Sequence, residues 1–226
     1  MFRFRDTREG DVHVDVAFTD SSVDLQGLRP GFPELLTRLE AEMGGRFARL
    51  TQVHGGDVIV VDAPMALNAV PTGDALVTTA PRLGLMIRVA DCVPVMLADP
   101  GAGVIGAVHA GRPGMVLDIA TRTVEVMREQ GARNIVGWLG PHVCGGCYEV
   151  PEQMRDEVAA VVPESYATTT WGTPSVDIGA GVRAQLGRAG VDVVEVGGCT
   201  REDAGLHSYR RDGAASGRLA GLVWMA

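Results

Sequence analysis

Val12, Val14, Val16 and Phe18 alternate with polar or small residues, the period-two pattern of a strand with one buried face. Pro33 and the run from Glu34 to Met43 predict a helix with proline in its first turn, stopped by Gly44-Gly45. Residues 47–53 and 58–61 read as strands joined through His54-Gly55-Gly56. The middle is strand-rich: apolar runs at 75–78, 83–89, 93–98 and 104–108 are separated by turn residues. Pro113-Gly114 then opens a predicted helix, with Val116, Leu117, Ile119, Ala120, Val124 and Met127 at helical spacing. Residues 135–139, 191–196 and 219–224 read as strands, and 151–162 and 178–189 as helices. No repeat, charge block or low-complexity linker divides the chain, so a single domain over 1–226 is expected. Strands grouped in runs with a few helices between them predict an α+β class: one layered domain with mixed β-sheets flanked by helices, not a regular βαβ repeat.

Composition narrows the function. Of 226 residues, 46% are hydrophobic and 21% charged, which excludes a disordered, collagenous or disulfide-dense chain. Twenty basic residues against 28 acidic ones give a net charge of -8, the wrong sign for a general nucleic-acid or anionic-membrane binder. All the cations are arginine. Without lysine, neither a Schiff base nor a P-loop lysine is available. Anion binding therefore falls to arginine, histidine, backbone N–H groups or a metal. The opening Met1-Phe2-Arg3-Phe4-Arg5-Asp6 has no apolar signal-like core, and no apolar run reaches the ~18–20 residues of a membrane span. A cytoplasmic protein is expected, with Cys92, Cys144, Cys147 and Cys199 reduced.

Chemistry-bearing residues collect at predicted strand ends. His54, Cys92 and His109 each stand beside glycine or another small or turn residue. Two imidazoles and a thiolate are zinc ligands, and three protein ligands leave a fourth position open, as catalytic zinc requires. The separations are too long for a local zinc knuckle, so the fold must assemble the set. The competing reading makes Cys92 a small core residue and the histidines hydrogen-bonded turn residues. After His109, the turn Ala110-Gly111-Arg112-Pro113-Gly114 enters a predicted helix, where an anion could meet free N–H groups and Arg112, or where the turn is simply a turn. Tyr209-Arg210-Arg211 ahead of Asp212-Gly213 suits a planar or phosphorylated substrate, or a solvated loop. Cys144-Gly-Gly-Cys147 has redox spacing without the helix context of a thioredoxin, and reads as packing or site wall, not as a redox pair. His13 is expected to be exposed, and His142 and His207 are candidate supporting groups.

The chain resembles the laccase-domain (YfiH-like) family, known under the names polyphenol oxidase and purine nucleoside phosphorylase. The matching motifs are Gln52-Val53-His54-Gly55, Gly73-Asp74-Ala75, Ala90-Asp91-Cys92-Val93-Pro94-Val95, Val108-His109-Ala110-Gly111, Gly140-Pro141 with Cys147-Tyr148-Glu149-Val150, Cys199-Thr200, and Ser208-Tyr209-Arg210-Arg211-Asp212-Gly213 with Ser216-Gly217-Arg218. They run in family order over nearly the whole chain. The resemblance implies a fold similar to cytotoxic-necrotising-factor-type cysteine hydrolases. It also implies zinc held by His54, Cys92 and His109, and phosphorolysis of adenosine, inosine or 5′-methylthioadenosine with adenosine deamination as a second reaction. Two departures stand out. The family's His-Ala-Gly-Trp-Arg-Gly is His109-Ala110-Gly111-Arg112-Pro113-Gly114 here, and the aromatic before Ser-Tyr-Arg-Arg is His207.

The expected partners are thus a small purine nucleoside and phosphate, with no nucleic acid or membrane. His54, Cys92, His109, Arg210 and Arg211 are the expected catalytic set, and Arg112, Tyr209, Arg210 and Arg211 the expected substrate contacts. A copper polyphenol oxidase is the first alternative. One blue-copper centre already takes two histidines and a cysteine, and this chain has five histidines in total. A thiol hydrolase with Cys92 as nucleophile, or a purine-binding module without turnover, are the others.

Overall fold

A computed structural model describes residues 1–27, 29–67 and 69–225. The chain begins with strands β1 (Phe2–Arg8) and β2 (Val14–Thr19), helix α1 (Phe32–Met43), and strands β3 (Arg46–Ala48) and β4 (Val58–Val60). The central run is β5 (Ala75–Thr78), β6 (Leu83–Val89), β7 (Val93–Asp99) and β8 (Val104–Ala110). Helices α2 (Arg112–Val116) and α3 (Ile119–Glu129), strand β9 (Val136–Leu139) and helix α4 (Glu152–Val161) follow. The chain closes with β10 (Tyr166–Thr168), β11 (Pro174–Val176), α5 (Ile178–Arg188), β12 (Asp192–Glu195), the one-turn α6 (Tyr209–Asp212) and β13 (Leu219–Met225).

Two mixed sheets result, ordered β1-β2-β13-β6-β3 and β12-β9-β7-β8-β5-β4, with β10 and β11 as a separate pair. The period-two alternation decides how they stack. Val16 and Phe18 of β2 meet Met96 of β7 and Ile105 and Ala107 of β8 in a layer between the sheets, with Trp138 of β9 at its centre. The opposite faces of β7 and β8, through Val93, Val95, Val108 and Ala110, pack on α2, α3, α4 and α5. On the far side Ala17, Met86 and Leu222 receive Phe32, Leu36 and Leu39 of α1. The order of layers is helix, sheet, sheet, helix, the α+β class with mixed sheets flanked by helices, and no closed barrel forms.

Three elements depart from the sequence pattern. The strand expected at 47–53 pairs with β6 only over Arg46–Ala48: beyond it the Thr51 N–H turns to the Pro71 carbonyl, and the Gln52 side chain, not its backbone, bonds to the Arg88 backbone of β6. The helix expected from Pro113 is broken at Asp118, which adopts φ 57° and caps α3 by accepting from the Thr121 N–H at 3.4 Å. Strand β1, which pairs with β2 at the sheet edge, carries too many charges to read as a strand from pattern alone.

Candidate active site

Strand pairing places the metal-type ligands. Cys92 ends the turn into β7, and His109 sits near the end of β8, opposite Pro94. His54 lies between β3 and β4 with φ 61°. One donor atom from each of His54, Cys92 and His109 lies within 4.8 Å of the other two. The Cys92 Sγ is 3.7 Å from His54 Nε2, and the two imidazoles meet edge to face at 4.7 Å between centroids. Residues separated by 38 and 17 positions thus converge into one group of metal-type donors.

The group that holds them is Asp74, fully buried just ahead of β5. Its carboxylate accepts from the N–H groups of Val53 (3.2 Å), His54 (2.9 Å) and Gly55 (2.6 Å) and from His109 Nδ1 (2.7 Å). The positive φ at His54 turns consecutive N–H groups toward one carboxylate, a nest around an anion. With Nδ1 donating to Asp74, Nε2 of His109 is left to face Cys92, the arrangement that supports a histidine able to bind a metal. Burial pushes the Cys92 thiol up, but hydrogen bonds with His109 and His54 outweigh it and bring it down to about 6. For His109, burial pushes down, while Asp74 and Cys92 together raise it to about 9. Gly111 completes the set: a Cβ there would lie 2.5 Å from His54 Cδ2 and 3.1 Å from Cys92 Sγ. The space its missing side chain leaves is filled by two ligands, not by a substrate.

Asp91, the residue before Cys92, is a second buried organiser with φ 84°. It accepts from Thr200 Oγ1 (2.6 Å), Ser208 Oγ (2.7 Å) and the Arg210 N–H (2.6 Å). These bonds tie the loop before α6 to the turn that carries Cys92.

The triad opens into a cavity of about 1300 Å³. Tyr148, Tyr209 and Arg210 form part of its wall. Arg210 stacks on the Tyr148 ring at 4.4 Å and donates to the Glu149 carbonyl at 2.8 Å. Arg211 is elsewhere. Its guanidinium donates to the carbonyls of Thr200 (2.7 Å), Asp203 (3.1 Å) and Leu206 (2.7 Å) and pairs with Asp212 at 2.8 Å. It fastens its own loop, which corrects the expectation that both arginines face the substrate. Arg112 does not line the cavity either, and α2 has only five residues.

Four arginines that the sequence does not single out as substrate contacts do line it: Arg29, which pairs with Asp24, and Arg49, Arg88 and Arg218. Arg49 is only 5% exposed, and the Nε atoms of Arg49 and Arg88 have no hydrogen-bond partner among the described residues. Both guanidiniums stack on Phe32, at 5.4 and 5.6 Å. The neighbouring acids are engaged otherwise, Glu40 with Arg46 and Asp24 with Arg29. Burial and the like charge of Arg49 and Arg218 lower the Arg88 guanidinium from its usual range.

The other histidines are committed to structure. His13 pairs with Glu9 and Asp15, His142 Nδ1 donates to the Gly140 carbonyl, and His207 Nε2 donates to the Val23 carbonyl. A second group of metal-type donors, Cys144, Cys147, Cys199 and Glu202, lies apart from the triad and shares no residue with it. No described helix is long and apolar enough to cross a membrane.

A Streptomyces coelicolor protein named purine nucleoside phosphorylase is 55% identical over 183 residues, 80% of this chain and 75% of that protein. A Deinococcus radiodurans protein of the same name is 42% identical over 191 residues, 82% and 74% of the two chains. Among solved structures, a Neisseria meningitidis protein of family DUF152 superposes with a TM-score of 0.83 at 26% identity, covering 98% of each chain. YlmD from Geobacillus stearothermophilus gives 0.80 at 26% identity, covering 94% of this chain and 92% of that one. Residues 33–226 match the family described as multi-copper polyphenol oxidoreductase laccase, and the chain belongs to that family.

Proposed function

We propose that the protein is a zinc-dependent purine nucleoside phosphorylase acting on adenosine, inosine and 5′-methylthioadenosine, with adenosine deamination as a second reaction. The names of its relatives support a nucleoside-processing enzyme. The observation that carries the finer reading is a single cavity lined by both a His2Cys donor set and the guanidiniums of Arg49 and Arg88, whose Nε atoms have no hydrogen-bond partner among the described residues, with Arg218 beside them. A guanidinium buried without an anion is costly, and phosphate restores the balance.

His54, Cys92 and His109 fit zinc by donor type, by their mutual spacing and by the Asp74 support of His109. Zinc bound there supplies a Lewis acid for a substrate oxygen. Arg49, Arg88 and Arg218 hold phosphate, the nucleophile that forms the new bond to ribose C1′. As the C1′–N9 bond breaks, its electron pair leaves with the purine, which takes up the proton that hydrogen phosphate gives up, and the products are free base and ribose 1-phosphate, or 5-methylthioribose 1-phosphate from 5′-methylthioadenosine. Tyr148 and Tyr209, with Arg210 stacked on the first, offer flat surfaces for the base. The placement of Arg211 and Arg112 removes them from the phosphate assignment and leaves Arg210 at the wall.

A multicopper oxidase reading of the family name has too few ligands in this chain. Only two of five histidines reach the site, and the other three are committed elsewhere.

The test is incubation of metal-quantified protein with the three nucleosides, with and without phosphate, and chromatography of the products. Free base and the sugar 1-phosphate (ribose 1-phosphate, or 5-methylthioribose 1-phosphate from 5′-methylthioadenosine) should appear only with phosphate. Losing one charged contact, in Arg88→Met, should lower kcat/KM for phosphate roughly 10- to 150-fold. Base release that is absent, or indifferent to phosphate, overturns the reading.

A further inference from the structure

Cys144 and Cys147 lie in the turn between β9 and α4, where the Cys147 N–H donates to the Cys144 carbonyl at 3.0 Å. Cys199 and Glu202 lie in the turn after β12, where the Glu202 N–H donates to the Cys199 carbonyl at 3.2 Å. Each turn therefore offers two donors three residues apart, the local geometry of a zinc knuckle. The turns are brought together by backbone pairing. His142 bridges to Cys199, the Thr200 N–H donates to the His142 carbonyl at 3.0 Å, and the Cys144 N–H points at Cys199 Sγ at 3.5 Å. Three sulfurs and a carboxylate oxygen end within 4.8 Å of one another.

We propose that Cys144, Cys147, Cys199 and Glu202 bind a second, structural zinc ion. A single disulfide would use two of these sulfurs and leave a thiol and a carboxylate crowded against it. A tetrahedral thiophilic cation uses all four donors. Three thiols give up their protons to solvent on binding, and no electron transfer is involved. Four protein ligands close the coordination shell, unlike the three-ligand set of His54, Cys92 and His109, so the second ion has no open position for substrate. Cys147 is buried, and Cys144 and Cys199 are half-buried, which suits a fixed structural ion.

The location gives the ion a task. The first turn leads directly into Tyr148, and the second into the loop whose Thr200 and Ser208 bind Asp91 and which ends at Tyr209 and Arg210. Among the described residues, these two segments meet through one isolated bridge and a few hydrogen bonds. A metal clip between them fixes one wall of the cavity without touching the substrate. This assignment stands independently of the nucleoside reaction.

Metal content tests it on the full chain purified under reducing conditions without chelator. Two zinc ions per chain are expected in the unaltered protein, with one lost in Cys199→Ser and the other in His54→Ala. After replacement by cobalt, the sulfur-to-metal charge-transfer band should persist strongly in His54→Ala, where three thiolates remain, and weaken in Cys199→Ser. If Cys199→Ser does not fold, Glu202→Gln at the exposed ligand serves: it should release one zinc ion to a chelator earlier than in the unaltered protein. A zinc content unchanged in Cys199→Ser overturns the proposal, as does, where that variant does not fold, a rate of zinc release to chelator unchanged in Glu202→Gln. So does a protein mass two protons light with one zinc bound, which would mark a disulfide. Loss of zinc in Cys199→Ser but none in His54→Ala would uphold this site and sink the catalytic one.

Discussion

Asp74 works as a positioning residue: it touches no open space in the cavity, yet four N–H donors converge on it and two of them belong to metal-type ligands. Asp74→Asn replaces one acceptor oxygen with an amide that must face donors. Zinc affinity should fall roughly 10- to 100-fold, read by competition with a chromogenic chelator. An unchanged affinity would show that the nest at His54 orders the ligands unaided. Gly111 is tested from the other side. In Gly111→Ala the new methyl meets the His54 ring and the Cys92 sulfur, so zinc should be lost while the stability of the metal-stripped protein in urea unfolding falls only by what overpacking costs, about 1–3 kcal/mol. Residue chemistry alone singled out His54, Cys92 and His109, because few side chains serve as zinc ligands. It could not separate Arg210 from Arg211, adjacent in sequence but turned apart by the single turn of α6. Nor could it find Arg49 and Arg88, whose signal is a guanidinium nitrogen without a hydrogen-bond partner among the described residues, a property only of the folded chain. Arg211→Met should therefore lower stability and leave the KM for phosphate nearly unchanged, the reverse of Arg88→Met, and equal effects on both quantities would contradict the division.

At the scale of elements, periodicity predicted the central strands β5 to β8, since their apolar runs are bounded by turn residues, and it found the start of α1 at its proline. It missed what tertiary bonds decide. Asp118 breaks one expected helix into α2 and α3 through a left-handed turn, and β3 stops early because Thr51 turns to Pro71 and Gln52 meets β6 through its side chain. Carboxylates capping loops recur here, and Asp99 is the clearest outside the site. It accepts from the N–H groups of Gly101 (3.1 Å), Ala102 (3.2 Å), Arg133 (2.6 Å) and Asn134 (2.8 Å), joining the β7–β8 turn to the segment that enters β9. Burial pushes its carboxyl up, but these backbone donors outweigh it and hold it below the usual carboxylate range. A depressed folded pKa means the stabilisation is fully present above the unfolded value near 3.9 and is lost as pH falls through the lower folded value. Asp99→Asn should cost on the order of 2 kcal/mol in urea unfolding at pH 7. The difference from the unaltered protein should shrink in strongly acidic buffer, and a penalty that held constant with pH would rule out the charge as its source.

For the molecule as a whole, the layer between the two sheets decides whether they unfold together. Phe18 from one sheet lies against Gly140 at the edge of the other and against Gly221 of β13, while Trp138 fills the same layer and donates from Nε1 to Asp6 of β1 at 2.8 Å. Neither sheet has a core of its own on that face. We propose that residues 1–226 unfold as one cooperative unit. The three tryptophans make this measurable: Trp138 reports the layer between the sheets, Trp224 the layer under α1, and Trp171 is exposed. Because bound metal adds a release step of its own, metal-stripped protein is the sample. Single-tryptophan variants reporting from positions 138 and 224 should give urea transitions that coincide with each other and with far-ultraviolet circular dichroism. Phe18→Ala removes a buried ring shared by both sheets and should cost about 3–5 kcal/mol, moving both transitions by the same amount. Separate midpoints, or a shift at position 138 without one at 224, would mean that the α1 side folds as an independent unit and that the shared layer does not couple the sheets.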